Sequence, residues 1–331
     1  MMDTPDLQQQ FFNYLKSNLP PHLSLVDELV DLLDLSSDSV YRRIRGEKPI
    51  TLPELKKICE RYKISLDQVL QLQNESVVFQ APEINQLSND FEDYLRKMCS
   101  MIKSFNSFHE RRMLYFCKDM IFFHFYLFPE IAAFKTFFWV KTIKNYPEYN
   151  NKTFSLAEYP FTECFTIGQE IIKEYNNIPS LELWNVESIN STISQVQYYK
   201  DAGIFRSDAD FEAVVDSFEK CLDHLQLQAE KGVKFMPGAS DLAYKSPLQF
   251  YVNEVVLGTN TIFVELDGLK HSILTYNVLS YLITKDPRFN AHSFANFHTL
   301  VSRSTLISGT GEKERHKFFK YLKDKLQQLR K

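Results

Sequence analysis

A short basic segment near the amino terminus carries the side chains best suited to contacting a nucleic acid. It reads DSVYRRIRGE over residues 38–47 and forms a predicted helix. Because a helix turns by about 100° per residue, Asp38, Arg42 and Arg45 lie opposite the apolar Val40. Arginine can form two parallel hydrogen bonds to guanine in the major groove, so this face is suited to reading DNA bases.

Residues around that face extend the predicted contact surface. Ser36 and Ser37 lie at the start of the helix, where free backbone N–H groups attract phosphate. Ser and Tyr side chains beside the face can hydrogen-bond bases or phosphates, and a basic residue follows the helix. The predicted DNA-binding residues are therefore Ser36, Ser37, Asp38, Ser39, Tyr41, Arg42, Arg43, Arg45 and Lys48.

The charge distribution favours the same segment. Residues 36–63 contain eight basic and four acidic side chains, whereas residues 1–35 contain one basic and six acidic side chains. The whole chain has a formal net charge of −4, which gives no general attraction to nucleic acid. A nucleic-acid site must therefore be local, and the basic segment provides the positive potential that it needs.

Short, capped helices are predicted to position this face. Apolar residues recur at helical spacing between residues 7 and 19, and Pro20-Pro21 ends that run. Ser24 is a predicted N-cap of the next helix, and Thr51 with Glu54 has the spacing of a capping box. Five helices of about 8 to 14 residues each predict a compact module.

The stretch 24–70 resembles the helix-turn-helix of phage-repressor-type (XRE-like) transcriptional regulators, over about one fifth of the chain. The matching features are an amphipathic first helix, an apolar residue in the turn and an apolar residue on the buried side of the second helix. A glycine, a basic-Pro turn and a final S-L-D-x-V-L helix follow. The residues that carry the resemblance are Leu29, Leu33, Leu35, Val40, Gly46, Lys48-Pro49 and 65–70. The resemblance implies that a recognition helix at about 37–45 enters the major groove.

The composition changes after a polar linker at 76–84. Residues 1–75 form the predicted DNA-binding domain, and residues 85–331 form a predicted regulatory or oligomerisation domain that is mostly helical. A solenoid of stacked helix pairs is an alternative arrangement. The helices are predicted at 86–104, 108–128, 130–146, 155–176, 186–202, 207–231, 277–285, 292–305 and 312–330. The last of these is basic, with an apolar side that is expected to pack on its own domain.

A change to β-type periodicity interrupts these helices at 248–276. Three runs rich in Val, Ile, Tyr and Phe predict an antiparallel meander, although Ser246-Pro247 also resembles a helix start. Asp267-Gly268 between two of the runs predicts a type I′ hairpin near 261–276. The predicted fold class is therefore mainly α, a five-helix module followed by a larger helical domain with a small antiparallel meander.

Aromatic residues are unusually dense at 105–149. Helical spacing of aromatics is typical of a hydrophobic core, so we interpret this region as core, with an aromatic-lined ligand pocket as the alternative. His109 and His124 lie in strongly apolar predicted helices and are interpreted as core or pocket residues and not as metal ligands.

Patterns that would indicate an enzyme, a metal site or a cofactor are not found. The chain has no G-x-S-x-G, no complete phosphate-binding loop and no H-E-x-x-H. Five cysteines, without a C-x-x-C, predict thiols in a reducing compartment. The most apolar run, at 120–129, is too short to cross a bilayer, which needs about 20 residues. We therefore expect a cytoplasmic protein without a membrane segment.

These observations predict a DNA-binding transcriptional regulator that is not an enzyme and binds double-stranded DNA. The second domain would form a homodimer or sense a signal, and a small-molecule or peptide effector is compatible with it. The alternative is an adaptor protein whose helix-turn-helix module binds another protein. An enzyme with an unrecognised helical active site is a weaker third class.

Overall fold

The computed structural model describes residues 7–20, 23–64, 66–69, 77–81, 91–239, 246–254 and 260–331. The chain divides into two compact units. Unit 1 comprises Met1–Gln80 and Thr284–Phe289, and unit 2 comprises Ala81–Ile283 and Asn290–Lys331. The predicted domain limits at residues 75 and 84 stay predictions, because both positions fall among residues outside the described ranges.

Unit 1 contains short helices around one apolar core. The helices are α1 (Leu7–Ser17), α2 (Leu25–Leu33), α3 (Ser37–Ile44), α4 (Leu52–Tyr62) and α5 (Leu66–Val69). Each of the first four contributes side chains that are almost fully buried, because their apolar residues recur at helical spacing. The most buried members of this core are Phe11, Phe12, Leu15, Leu29, Val40 and Ile58.

Local capping interactions set the ends of these helices. The Ser24 and Ser36 hydroxyls accept hydrogen bonds from backbone N–H groups at the starts of α2 and α3, each at 3.4 Å. Thr51 and Glu54 form the predicted capping box at the start of α4. Asp34 ends α2 in the left-handed conformation, with φ of 55°. This sharp turn directs the chain from α2 into α3.

Among its described residues, unit 2 contains a mixed sheet of eight strands, so the predicted fold class is wrong. The strand order is β3-β4-β2-β1-β5-β6-β7, and β8 pairs with β4. The strands are β1 (Arg111–Cys117), β2 (Ser180–Trp184), β3 (Val233–Lys234), β4 (Ser246–Val252), β5 (Thr261–Leu266), β6 (Leu269–Thr275), β7 (Tyr281–Thr284) and β8 (Thr305–Leu306). The helices are α6 (Phe91–Asn106), α7 (Pro129–Phe138), α8 (Thr162–Tyr175), α9 (Asn190–Asp201), α10 (Asp208–Lys231), α11 (Pro287–Ser302) and α12 (Glu312–Gln327).

Parallel strands at the centre of this sheet explain the error. β1 pairs parallel with β2, and β2 pairs parallel with β4. Helical crossovers connect these strands, as parallel pairing requires. The sequence predicts an antiparallel meander that begins at residue 248, whereas β4 lies beside β2 and has no pairing with β5. The predicted helices at 108–128 and 277–285 contain strands β1 and β7.

Hydrophobic cores cover both faces of the sheet. Successive residues of a strand point to opposite faces, so Met113 and Leu114 of β1 belong to different cores. The larger core joins one face to α6–α10 and α12. The smaller core joins the other face to α11 through Phe294 and Phe297. Because both faces are buried, the central strand β1 lacks the alternation of apolar and polar residues that identifies a strand in a sequence.

The hairpin between β5 and β6 follows from its turn residues. Residues Thr261–Leu266 pair antiparallel with Leu269–Thr275. Asp267 and Gly268 have φ of 46° and 83°, the two positive values of a type I′ turn.

Among the described residues, no helix combines the length and the apolar character that a membrane crossing requires.

Candidate nucleic-acid interface

The exposed face of α3 presents polar side chains of several lengths. Tyr41 is 48% exposed, and the side chains of Arg42 and Arg45 are 51% and 54% exposed. Asp38 is also exposed, whereas Val40 is buried in the core of unit 1. The helix is therefore amphipathic in the sense that the sequence predicts, and its polar face can contact a partner.

Three further residues that the sequence predicts to contact DNA flank α3, two at its amino terminus and one in the loop after it. Ser36 and Ser37 are exposed, and the Ser36 hydroxyl is occupied by the backbone N–H of Ser39. Lys48 is exposed in the loop after the helix. A helix amino terminus with an exposed serine beside it is a suitable position for a phosphate.

Arg43 departs from the predicted set, because its side chain points into the protein. It is 4% exposed, and its Nε and Nη2 atoms donate to the Glu54 carboxylate at 3.1 and 2.7 Å. Its Nη1 atom donates to the carbonyl oxygen of Ser39 at 3.1 Å. The guanidinium thus links α3 to α4 and does not belong to the exposed face.

The hydrogen bonds that Glu54 accepts keep its carboxylate ionised. Partial burial acts to raise the pKa of Glu54, but hydrogen bonds from Arg43 and Thr51 outweigh it and hold the pKa below its usual value. The same carboxylate therefore completes the capping box of α4 and neutralises Arg43. This double role ties the start of α4 to α3.

Glu47 partly neutralises the exposed arginines. Its carboxylate accepts from Arg45 Nε at 2.6 Å and lies 3.8 Å from Arg42 Nε. The hydrogen bond from Arg45 holds the pKa of Glu47 below its usual value, and the same bond raises the pKa of Arg45. A phosphate or a base that binds either arginine must compete with this carboxylate.

The loop after α3 is held from α1, an interaction that sequence reasoning missed. The Gln8 side-chain amide donates to the carbonyl oxygens of Arg43 and Lys48 at 2.7 and 2.8 Å. Its oxygen accepts from the Ile50 N–H at 2.8 Å. Gln9 donates to the carbonyl oxygen of Arg45 at 2.8 Å. The only sequence signal is the run of three glutamines at the start of the amphipathic helix α1.

A buried acid–base pair in unit 2 also escaped the sequence analysis. His124 Nε2 lies 3.2 Å from the Glu182 carboxylate, which also accepts from Tyr175 and Trp184 at 2.7 and 2.8 Å. His124 and Glu182 are 1% and 0% exposed. Burial acts to raise the pKa of Glu182, but His124 and these donors hold it below its usual value. This fully buried network links β2 to α8.

These features define the class of unit 1 as a helix-turn-helix-like module. Residues 21–93 match the family model of the BetR domain, a DNA-binding-associated helix-turn-helix-like domain. The match covers α2 to α5 and the first residues of α6. The narrower XRE-like assignment stays a prediction. Comparisons with curated proteins and with solved structures give no match.

Proposed function

We propose that this protein regulates transcription by binding double-stranded DNA, with α3 in the major groove. The observation that carries the proposal is the exposed side of α3, where Tyr41, Arg42 and Arg45 project opposite the buried Val40. The match to the BetR domain supports a regulatory, DNA-binding role. The arginines would read bases, and Ser36, Ser37 and Lys48 would contact phosphates.

We further propose that the protein acts as a homodimer formed through unit 2. One helix-turn-helix contacts about half of a typical site, and two modules bind half-sites roughly 34 Å apart. Sedimentation of the full-length protein with a selected duplex tests this stoichiometry. Two chains per duplex are expected, and one chain per duplex would contradict the dimer.

In-vitro selection of random duplex DNA by the full-length protein tests DNA binding itself. We expect enrichment of one sequence motif, with log K falling linearly as log salt concentration rises. Binding of the enriched duplex is then compared with binding of a scrambled duplex at several salt concentrations. If no motif is enriched and no salt-dependent binding occurs, the proposal is wrong.

The acidic groups beside α3 favour a second candidate, an adaptor module that binds protein. Glu47 neutralises part of the charge of Arg42 and Arg45, and Asp38 lies on the exposed helix. Mixed charge is common at the rims of protein interfaces. Absence of salt-dependent DNA binding, together with capture of a protein partner that Tyr41→Ala abolishes, would favour this function.

A further inference from the structure

A cavity of about 430 Å³ lies within unit 2, beside α6, α7 and the hairpin of β5 and β6. Its walls carry aromatic and thioether side chains, among them Tyr94, Met98, Phe122 and Trp139, together with several polar side chains. Its volume lies within the range of small-molecule sites, which is about 300–1,000 Å³. The region that the sequence analysis interpreted as core therefore also encloses a space.

Lys135 of α7 lines this apolar cavity and is itself 4% exposed. Its Nζ atom donates to Gln195 Oε1 at 2.5 Å and lies 3.4 Å from Thr192 Oγ1. The ammonium also lies 4.4 Å from the ring centroid of Phe125 and 5.1 Å from that of Trp139. Its contacts among the described residues are thus neutral oxygens and aromatic faces.

A second buried lysine in the same unit, Lys234, has an acceptor for each hydrogen-bond donor of its ammonium group. Lys234 Nζ donates to the carbonyl oxygens of Tyr175 and Ile178 and to Ser180 Oγ, at 2.7, 2.5 and 2.6 Å. These three acceptors match the three N–H donors of an ammonium group. Lys135 has only two oxygen acceptors among the described residues, and the weaker one lies at 3.4 Å. It therefore retains donor capacity beside the cavity.

We propose that this cavity binds a small organic carboxylate, with its anion at Lys135 and its apolar body against Phe122 and Trp139. Phe122 and Trp139 stack on each other with ring centroids 4.7 Å apart, and both line the cavity, so they give it an aromatic surface for an apolar ligand body. The methionines in the lining adapt to irregular apolar shapes.

The charges of the lining favour an anion over a neutral ligand. The charged side chains among its described residues are Lys118, Asp119 and Lys135. Burial lowers the pKa of Lys135 to about 7, and Asp119 opposes this shift. A bound carboxylate would compensate the buried ammonium and restore its protonation, as charge-assisted hydrogen bonds do.

The apolar rim of the cavity gives a ligand a route to it. Tyr276 and Val278, which follow β6 and line the cavity, are 47% and 58% exposed. This inference goes beyond the proposed DNA binding and does not depend on it, because ligand binding is measured directly on the protein.

Calorimetric titration of the full-length protein tests the proposal with two probes of equal shape. The probes are 1-naphthaleneacetate and its uncharged amide, at pH 7. We expect saturable binding of the carboxylate, with the amide at least about tenfold weaker, because only the anion pairs with the ammonium. Equal affinity of the two probes, or no saturable binding of either at millimolar concentration, would overturn the proposal.

Variants of Lys135 locate the binding site. Lys135→Met and Lys135→Gln should both weaken the carboxylate by at least about tenfold while changing the amide little. Two substitutions are used so that a folding defect in one leaves the test intact. Lys173→Met, an exposed lysine of α8, is the matched control and should bind like wild type. A folded Lys135 variant that binds the carboxylate as tightly as wild type would also overturn the proposal.

Discussion

The helix-turn-helix module buries the cation Arg43 and the sheet unit buries the cation Lys135, and the two side chains have different partners. Arg43 and Lys135 are both 4% exposed. Arg43 forms two hydrogen bonds to the Glu54 carboxylate, so its charge is neutralised within unit 1. Lys135 has a glutamine, a threonine and aromatic rings around it, and no carboxylate among its described hydrogen-bond partners.

This difference separates a stabilising residue from one that costs stability. A buried charge with a well-aligned counter-charge holds two elements together, and its removal leaves the partner unpaired. A buried charge whose hydrogen-bond donors are incompletely satisfied costs stability, and such groups are found where a ligand uses them. Substitutions of Lys135 and Arg43 test this difference directly. Substitutions of Arg42 and Gly268, with smaller expected effects, test an exposed residue of unit 1 and a turn of unit 2.

Replacing Lys135 by Met should stabilise the protein, and the gain should depend on pH. The pKa of Lys135 is about 7 in the folded protein, against 10.5 in the unfolded chain, because burial disfavours the ammonium. The unfolded state therefore binds more protons between these values, and the wild-type protein gains stability as pH rises through them. We expect Lys135→Met to raise the free energy of unfolding by about 2–4 kcal/mol near pH 6, and less near pH 10.

Urea denaturation of both proteins at several pH values measures this effect. Lys173→Met serves as the control, with no expected pH-dependent difference from wild type. Destabilisation by Lys135→Met, or a gain that is the same at every pH, would contradict the assignment of Lys135 as a destabilising charge.

Replacing Arg43 by Ala should have the opposite sign. It leaves the partly buried Glu54 carboxylate without its main partner and separates α3 from α4. We expect a loss of roughly 2–3 kcal/mol, somewhat below the value for a fully buried pair because Glu54 keeps some solvent contact. Hydrogen exchange of α3 and α4 measures the loss within unit 1. Unchanged protection of both helices would refute the structural role of this pair.

Arg42→Ala tests the exposed neighbour of Arg43. Its side chain is about half exposed, so the melting temperature should stay near that of wild type. Affinity for the selected duplex should fall by about 1–3 kcal/mol if Arg42 reads a base, and the salt slope should fall by about one if it contacts only phosphate. Lys57→Ala, an exposed substitution on α4, is the matched control. Wild-type DNA binding by Arg42→Ala would remove Arg42 from the interface.

Gly268→Val should have the smallest effect and be confined to unit 2. The space around a Cβ at Gly268 is open, so the cost comes from its φ of 83° alone. A β-branched residue there is strained by about 1 kcal/mol or more. We expect a lower melting temperature of unit 2 and unchanged DNA affinity, with Asp267→Asn as a control that tolerates positive φ. Unchanged melting would show that the turn relaxes without cost.

Local signals explain why the helix-turn-helix module was predictable. Caps such as Ser24 and Thr51 act within one helical turn, and the apolar spacing of α2 identifies its buried face without knowledge of the rest of the fold. The buried position of Arg43 was not predictable in this way. It depends on Glu54 of the next helix, whose approach only the folded module determines.

The sheet unit depends on contacts that are remote in sequence. β1 pairs with β2 and β5, and its residues are covered on both faces, so RRMLYFC shows no strand-like alternation. The hairpin of β5 and β6 was predictable because its turn is local. An aromatic-lined pocket was only the alternative interpretation of residues 105–149, because aromatic spacing reports burial and not empty space. The lysine within the apolar run FKTFFWV was the one sequence signal that favoured a ligand site over a core.

The hydrogen bonds of Gln8 determine where this module can be divided. The similarity to the BetR domain begins at residue 21, after α1 has ended. A fragment that begins there would leave the carbonyl oxygens of Arg43 and Lys48 and the N–H of Ile50 without their side-chain partner. It would also uncover the apolar surface that α1 protects. The boundary of sequence similarity is therefore not the boundary of autonomous folding, and an isolated DNA-binding fragment must retain α1.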